Sequence, residues 1–318
     1  MVERGSPIKR VTFYIFWGII AKENFTKECF VMSYRIITDS CCDFTPAQYA
    51  EFDLTFTPMT VMYKGEPHDD YLDEKSIKMV YKGLRNGETA TTAAVNPDGW
   101  AKVMEPALQE GLDALVMTFT SGMSTTYQSA VIAAEDLREQ YPDRKIIVID
   151  TLCAAHGQAL LVWYACRKRD EGMDIDSLAA WLEETKMHLC HWVTVDDLNH
   201  LKRGGRISAT TAIVGGLLNI KPIIHVNNEG KLVNVGKARG RKKALEILAD
   251  KLGQLGEGFD NETVFISHGD SEEDAKLLAQ MVKERYGVKN VLIGYIGAVI
   301  GSHSGPGTLA LFFLGSKR

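Results

Sequence analysis

Short apolar runs of β-forming residues alternate along this chain with segments of helical periodicity. That alternation restricts the fold more than any other feature, because strands joined through helices lie parallel and leave the helices on the faces of the sheet. Residues 34–38, 114–119 and 145–150 are strands of this kind. Thr45-Pro46 mark the N-cap and first residue of a helix to about Phe52. Asp73 caps a helix that stops at Asn86-Gly87, and Ser124 opens one that runs to about Gln140 with Ala130, Ile132, Ala133 and Leu137 on one face. Residues 54–63 form one strand, with Lys64-Gly65 as its turn. The helix of 154–169 and a helix capped by Asp176 close a first domain near residue 190.

The second half begins with a strand at 192–195 and a helix at 196–202. Ser208 then caps an apolar helix from Thr210 to Asn219, in which Gly215-Gly216 allow close approach. Strands at 221–226 and 231–235 meet at the turn Asn228-Glu229-Gly230. A helix at 241–255, a strand at 264–267, a helix capped by Asp270, a strand at 291–295, a glycine-rich loop and an apolar segment at 309–314 complete the chain. The expectation is two α/β domains, 32–190 and 191–318, each a mostly parallel or mixed sheet flanked by helices. At 318 residues and 45% hydrophobic, the chain has enough apolar surface for two cores.

Charge and cysteine usage exclude several functions. A formal charge of −5 supplies no basic field, which disfavours nucleic-acid and membrane-surface binding. The cysteines at 29, 41, 42, 153, 166 and 190 form no CxxC pairs, so a reducing, cytoplasmic setting with free thiols is expected and a disulfide scaffold is not. The spacing of His188, Cys190 and His191 matches no zinc pattern, and no metal is expected. Residues 11–20, VTFYIFWGII, are too few to span a membrane and no small-residue cleavage site follows them. Met32 is expected to be the natural start, with residues 1–31 a non-native leader; Lys27-Glu28 is encodable by a purine-rich ribosome-binding sequence just upstream.

Three polar clusters stand out against this background. Thr120-Ser121-Gly122-Met123-Ser124-Thr125-Thr126-Tyr127 joins a buried strand to a helix, where free backbone N–H groups, the helix dipole and several hydroxyls together suit an anion. Residues 89–97 form a second small hydroxyl-rich loop, with Asn96 as N-cap and Pro97 at the first helical position. The third, residues 297–308, sets His303 among glycines that leave the backbone open to close approach. No P-loop, GxGxxG or GxSxG pattern is present. One reading of the clusters is a non-catalytic carrier. The other is an acyl hydrolase or acyltransferase with Ser121 or Ser124 as nucleophile and His303 as base.

Seven stretches taken in order resemble the DegV family. They are Thr38-Asp39-Ser40, Thr91-Thr92-Ala93-Ala94-Val95-Asn96-Pro97, residues 120–130, Val148-Ile149-Asp150-Thr151, 201–208 (LKRGGRIS), 239–245 (RGRKKAL) and 301–308 (GSHSGPGT). Members of that family include the fatty-acid-binding subunits that serve a bacterial fatty acid kinase. The resemblance implies a long-chain fatty acid lying between the two domains, no cofactor beyond that ligand, and a kinase catalytic protein as partner. It places the carboxylate ligands at Thr92, Ser121 and His303, supported by the loops of Thr120, Gly122, Ser124, Thr125, Gly301 and Gly305. Where the family has Ser-Gly-Thr-Tyr, this chain has Ser124-Thr125-Thr126-Tyr127, and the extra side chain at Thr125 narrows or shifts the head-group site. Lys202, Arg203 and Arg206 form a basic cluster in an acidic chain, read either as a solvated helix end or as a docking point for an acidic kinase surface; Arg239, Arg241, Lys242 and Lys243 are a weaker second candidate.

Overall fold

The structure is a computed structural model that describes residues 33–70, 73–208 and 219–318. The expected leader at 1–31 and the helix expected from Thr210, with its Gly215-Gly216 pair, lie outside the described residues. The first half runs β1 (Tyr34–Asp39), α1 (Pro46–Glu51), β2 (Thr55–Thr57), β3 (Thr60–Tyr63), β4 (Glu66–Asp69), α2 (Glu74–Arg85), β5 (Ala90–Ala93), α3 (Pro97–Gln109), β6 (Asp113–Thr118), α4 (Thr126–Gln140) and β7 (Ile146–Asp150). Strands β2-β1-β6-β7 form a parallel sheet, and β4-β3-β5 a small antiparallel one.

The parallel sheet shows why its strands are apolar without alternation. Side chains of successive residues point to opposite faces, and both faces are covered. Ile36, Leu115, Met117 and Ile149 enter one core, while Ile37, Ala114, Val116 and Ile146 enter another. Helix starts follow their caps: Thr45 makes a capping box with Gln48, Asp73 accepts from Ser76 N at 2.9 Å, and Asn96 accepts from Gly99 N at 2.8 Å.

The second half continues through α5 (His156–Asp170), α6 (Ile175–Thr185), β8 (Leu189–Thr194), α7 (Leu198–Arg203), β9 (Ile220–Val226), β10 (Leu232–Arg239), α8 (Arg241–Leu255), β11 (Thr263–His268), α9 (Glu272–Tyr286), β12 (Asn290–Tyr295), α10 (Ala298–Ser304) and β13 (Leu309–Leu314). Its sheet has the order β10-β9-β8-β13-β11-β12 and is antiparallel except at β11–β12. Helix α5 is buried through its first two turns, where Leu160, Leu161 and Val162 share one core with β1 and β6 and with Phe265 and Phe312 of the larger sheet. The fold class is therefore α/β, with a parallel and a mixed sheet flanked by helices and a small antiparallel sheet beside them.

Several local expectations are corrected. The single strand expected at 54–63 is two strands in different sheets, broken at Pro58, which has no N–H to give to a ladder. Residues 90–93, expected as loop, are β5, and residues 66–69, given no element in advance, are β4; both are held by pairing with β3. The glycine-rich loop contains α10. The helix expected to begin at Asp176 is capped by Asp174, which accepts from both Asp176 N and Ser177 N at 3.0 Å. Asp270 caps nothing: it takes a left-handed backbone conformation and pairs with Arg85 at 2.6 Å, while Ser271 stands at the N-cap of α9.

Candidate functional site

The hydroxyl loop after β6 is built by its own side chains. Thr120 is fully buried; its Oγ1 donates to Gly230 O at 3.0 Å and accepts from Gly122 N at 3.1 Å. Asp150, ending the neighbouring strand β7, accepts from Ser121 N at 3.1 Å and Leu152 N at 3.0 Å on one oxygen. Ser124 Oγ accepts from Thr126 N at 3.2 Å, one residue before the N-cap of α4, which is Thr125 and not the Ser124 expected to open the helix. The free N–H groups expected here are thus largely taken: those of Ser121, Gly122, Met123 and Thr126 all have partners within the protein. What the loop still offers is the Ser121 hydroxyl, which has no hydrogen-bond partner among the described residues. Gly122 is needed for close approach, since a Cβ there would run into the carbonyls of Glu229 and Gly230 in the β9–β10 turn.

The second and third clusters meet directly. Thr92 lies on β5 opposite Val61, His303 lies on α10, and Thr92 Oγ1 is 2.7 Å from His303 Nε2. Burial, helped by the nearby Arg206 guanidinium, pushes the His303 imidazole down to about 4, so it is neutral at pH 7. A neutral ring can donate from only one nitrogen. With Nε2–H donating to Thr92 Oγ1, the Thr92 hydroxyl is released to donate to an anion; the opposite polarity consumes it.

Thr92, Ser121 and His303 open on a single cavity of about 560 Å³, together with Ser124, Thr125 and Arg206. The remaining wall is mostly apolar and drawn from both sheets and their helices, including Phe119, Val193, Val226, Leu232 and Phe312. A volume of this size lies within the usual range for small-molecule sites.

Residues 33–316 match the family described as "Uncharacterised protein, DegV family". The chain belongs to the DegV family. A DegV domain-containing protein of Clostridium perfringens is 44% identical over 286 residues, 90% of this chain and 98% of that one. Among solved structures, a DegV family protein from Thermus thermophilus described for its fatty acid binding is 29% identical with a TM-score of 0.80, covering 89% of this chain and all of the other. A DegV lipid-binding protein from Thermotoga maritima is 28% identical with a TM-score of 0.79, covering 90% of this chain and all of the other.

The DegV site sorts the expected residues into three groups. Thr92, Ser121, Ser124, Thr125, Arg206 and His303 line the cavity, Thr120 and Gly122 lie behind the hydroxyl loop against the β9–β10 turn, and Gly301 and Gly305 face away, making room for Tyr81 and His200. Ser124 is occupied with Thr126, and neither serine is hydrogen-bonded to His303. The basic cluster is split. Arg206 turns inward, its Nε donating to Met123 O at 3.2 Å and another guanidinium nitrogen to Gly204 O, while Lys202 and Arg203 stay exposed.

The apolar wall of the cavity in this DegV chain was not legible from sequence, and neither was one of its polar members. His191 lies on the wall with Nδ1 3.1 Å from Leu189 O and Nε2 accepting from Ala154 N at 3.3 Å. Burial holds it neutral, and with both nitrogens used it presents only its ring. Asp150, behind the wall, stood out in the sequence only as part of a strand and of a family-like stretch, since its bond to the Ser121 amide depends on where the neighbouring loop passes. Among the described residues no three His, Cys, Asp or Glu are arranged to hold a metal, and no helix is long and apolar enough to cross a membrane.

Proposed function

We propose that this cavity holds a long-chain fatty acid, with the carboxylate at Thr92, Ser121 and His303 and the tail along the apolar wall, and that the protein presents the carboxylate to a kinase for acyl-phosphate formation. The observation that carries the reading is one cavity with a hydroxyl–imidazole pair and a free serine hydroxyl against an otherwise greasy lining. The two solved DegV relatives, one described for fatty acid binding and one as a lipid-binding protein, support it. The kinase rests on the family resemblance of the sequence motifs. Arg206 supplies the positive charge that a neutral His303 does not.

The tail dominates affinity. Burying about fourteen methylenes is worth on the order of 11 kcal/mol gross at about 0.8 kcal/mol each, against about 1.5–3 kcal/mol for each charged hydrogen bond. Ser121→Ala is therefore expected to keep most of its co-purified lipid while acyl phosphorylation by the partner kinase falls about tenfold or more. Equal loss in native mass spectrometry and in the kinase assay would break that division of labour. Val193→Trp, which fills the apolar end, is expected to do the reverse at the binding step and cut lipid content below about a tenth of wild type. An intact fatty acid released on denaturation of the purified protein is the direct test; a covalent adduct or turnover of an ester would favour the hydrolase.

Docking is assigned to Lys202 and Arg203, which α7 carries beside α10 and its His303. Reversing both charges is expected to weaken kinase turnover severalfold at low salt and less at high salt, with lipid content unchanged. Unchanged turnover at low salt would remove this surface from the proposal.

A further inference from the structure

Arg318 is 7% exposed, yet no aspartate or glutamate pairs with its guanidinium among the described residues. A buried cation without a counter-charge is costly, so the groups it donates to carry the explanation for its place. Nη1 donates to Lys186 O at 2.9 Å; Nη2 donates to Leu152 O and lies 3.7 Å from Cys153 Sγ. The same charge helps burial to keep His191, on the wall of the fatty-acid cavity, neutral.

What Arg318 holds is the strained corner after β7. Leu152 and Ala155 take φ values of 54° and 52°, a region that residues with a Cβ rarely adopt. Such a backbone persists only where its surroundings over-determine it. Within the corner, Asp150 Oδ1 accepts from Leu152 N at 3.0 Å and Thr151 Oγ1 from Cys153 N at 3.1 Å. From elsewhere in the chain, the Arg318 guanidinium binds Leu152 O, and Gly230 of the β9–β10 turn packs on Leu152 Cα. The hydroxyl loop hangs on this corner. Cys153 O accepts from Thr120 N at 3.1 Å, and the Asp150 oxygen that takes Leu152 N also takes Ser121 N at 3.1 Å. Ser121 then carries its unpartnered hydroxyl on the cavity wall.

We propose that Arg318 is a positioning residue for the head-group site: its grip on Leu152 O and Cys153 fixes the Thr120 and Ser121 amides, and through them the Ser121 hydroxyl against the carboxylate of the acid. The role rests on the fatty-acid reading of the cavity, whereas the grip on the loop does not. Arg318→Met keeps an apolar stem and removes the donors. Full-length wild type, Arg318→Met, Ser121→Ala and the double variant are loaded with oleate carrying carbon-13 at its carboxyl, and the resonance of the bound acid is recorded. Each single substitution is expected to shift or broaden it. Arg318→Met is expected to add nothing further once Ser121 is alanine, because it acts through that residue. Amide exchange at Thr120 and Ser121 is expected to rise about tenfold in Arg318→Met and to stay unchanged across β11, whereas a general loss of stability would raise both. Oleate content stays near that of wild type.

If Arg318→Met does not fold, Arg318→Lys takes its place. Lysine keeps the charge but lacks the two-pronged guanidinium, and a rise in exchange of roughly threefold or more is expected. Unchanged exchange at Thr120 and Ser121, or carboxyl shifts that add independently in the double variant, would overturn the positioning role. A wild-type protein that takes up no oleate would count against the fatty-acid reading alone, and exchange on bare protein would then decide whether Arg318 holds the loop.

Discussion

Trp100→Ala is expected to lower the unfolding free energy by about 3–5 kcal/mol, the range for deleting a large buried aromatic. Trp100 sits in the first turn of α3, fully buried among Met104, Ala130 and Leu137, and its Nε1 donates to Thr126 O at 3.1 Å. The substitution leaves a cavity and also frees the first carbonyl of α4. Because α4 begins just after Ser124 and Thr125, the hydroxyl loop loses its support on one side. Urea unfolding followed by tryptophan-independent circular dichroism measures the loss. Trp100→Phe, which keeps most of the volume and drops the hydrogen bond, is expected to cost about 1–2 kcal/mol. A loss under about 1 kcal/mol for the alanine variant would mean that the indole does not pack as described.

The second large effect is a pH dependence centred on Asp39. Its carboxyl is fully buried at the end of β1, and burial pushes its pKa up to about 7 even though Phe119 N at 2.7 Å, Cys41 N at 3.0 Å and the Gln158 amide all donate to it. In the unfolded chain the same group ionises near pH 4. Between those values the folded state holds a proton that the unfolded state has released, so stability falls as pH rises. The contribution is fully present below about pH 4 and gone above about pH 7, and some three units at about 1.4 kcal/mol each make the swing on the order of 4 kcal/mol. The stability of wild type minus that of Asp39→Asn is expected to decline by that order across pH 4.5–7.5. Asparagine adds its own constant cost by turning an N–H₂ toward one of those donors, but it cannot supply a slope. Parallel curves for the two proteins would refute the shift.

The parts of the fold that were legible in the sequence are those decided by local chemistry. Ile36 and Ile37 in β1, or 113–118 in β6, are apolar on both faces because both faces are covered, and Thr45, Asp73 and Asn96 announce helix starts through side chains that reach only three residues ahead. Residues 90–93 were missed because Ala-Thr-Thr-Ala is too small and polar to declare a strand, and only the β3 ladder makes it one. Helix α10 was hidden by the glycines at 297, 301 and 305, one of which gives room for Tyr81. Thr92 and His303 were found as polar clusters and brought into one site by resemblance, but their 2.7 Å contact spans 211 residues and no spacing rule reaches that far. The apolar lining was invisible for a different reason: Val193, Val226 and Phe312 look like core in any sequence, and only topology decides whether a side chain faces another side chain or an empty tunnel.

The Asp150 carboxylate has one more consequence. Backbone amides at a strand-to-helix corner ordinarily attract stray sulfate or phosphate, yet here a resident negative group already occupies the Ser121 amide. Small inorganic ions in the surrounding medium therefore find a corner that is already neutralised and slightly repellent. On the reading proposed above, an acid that arrives with its own oily anchor offsets that repulsion along the apolar wall of the cavity, which phosphate and sulfate cannot do.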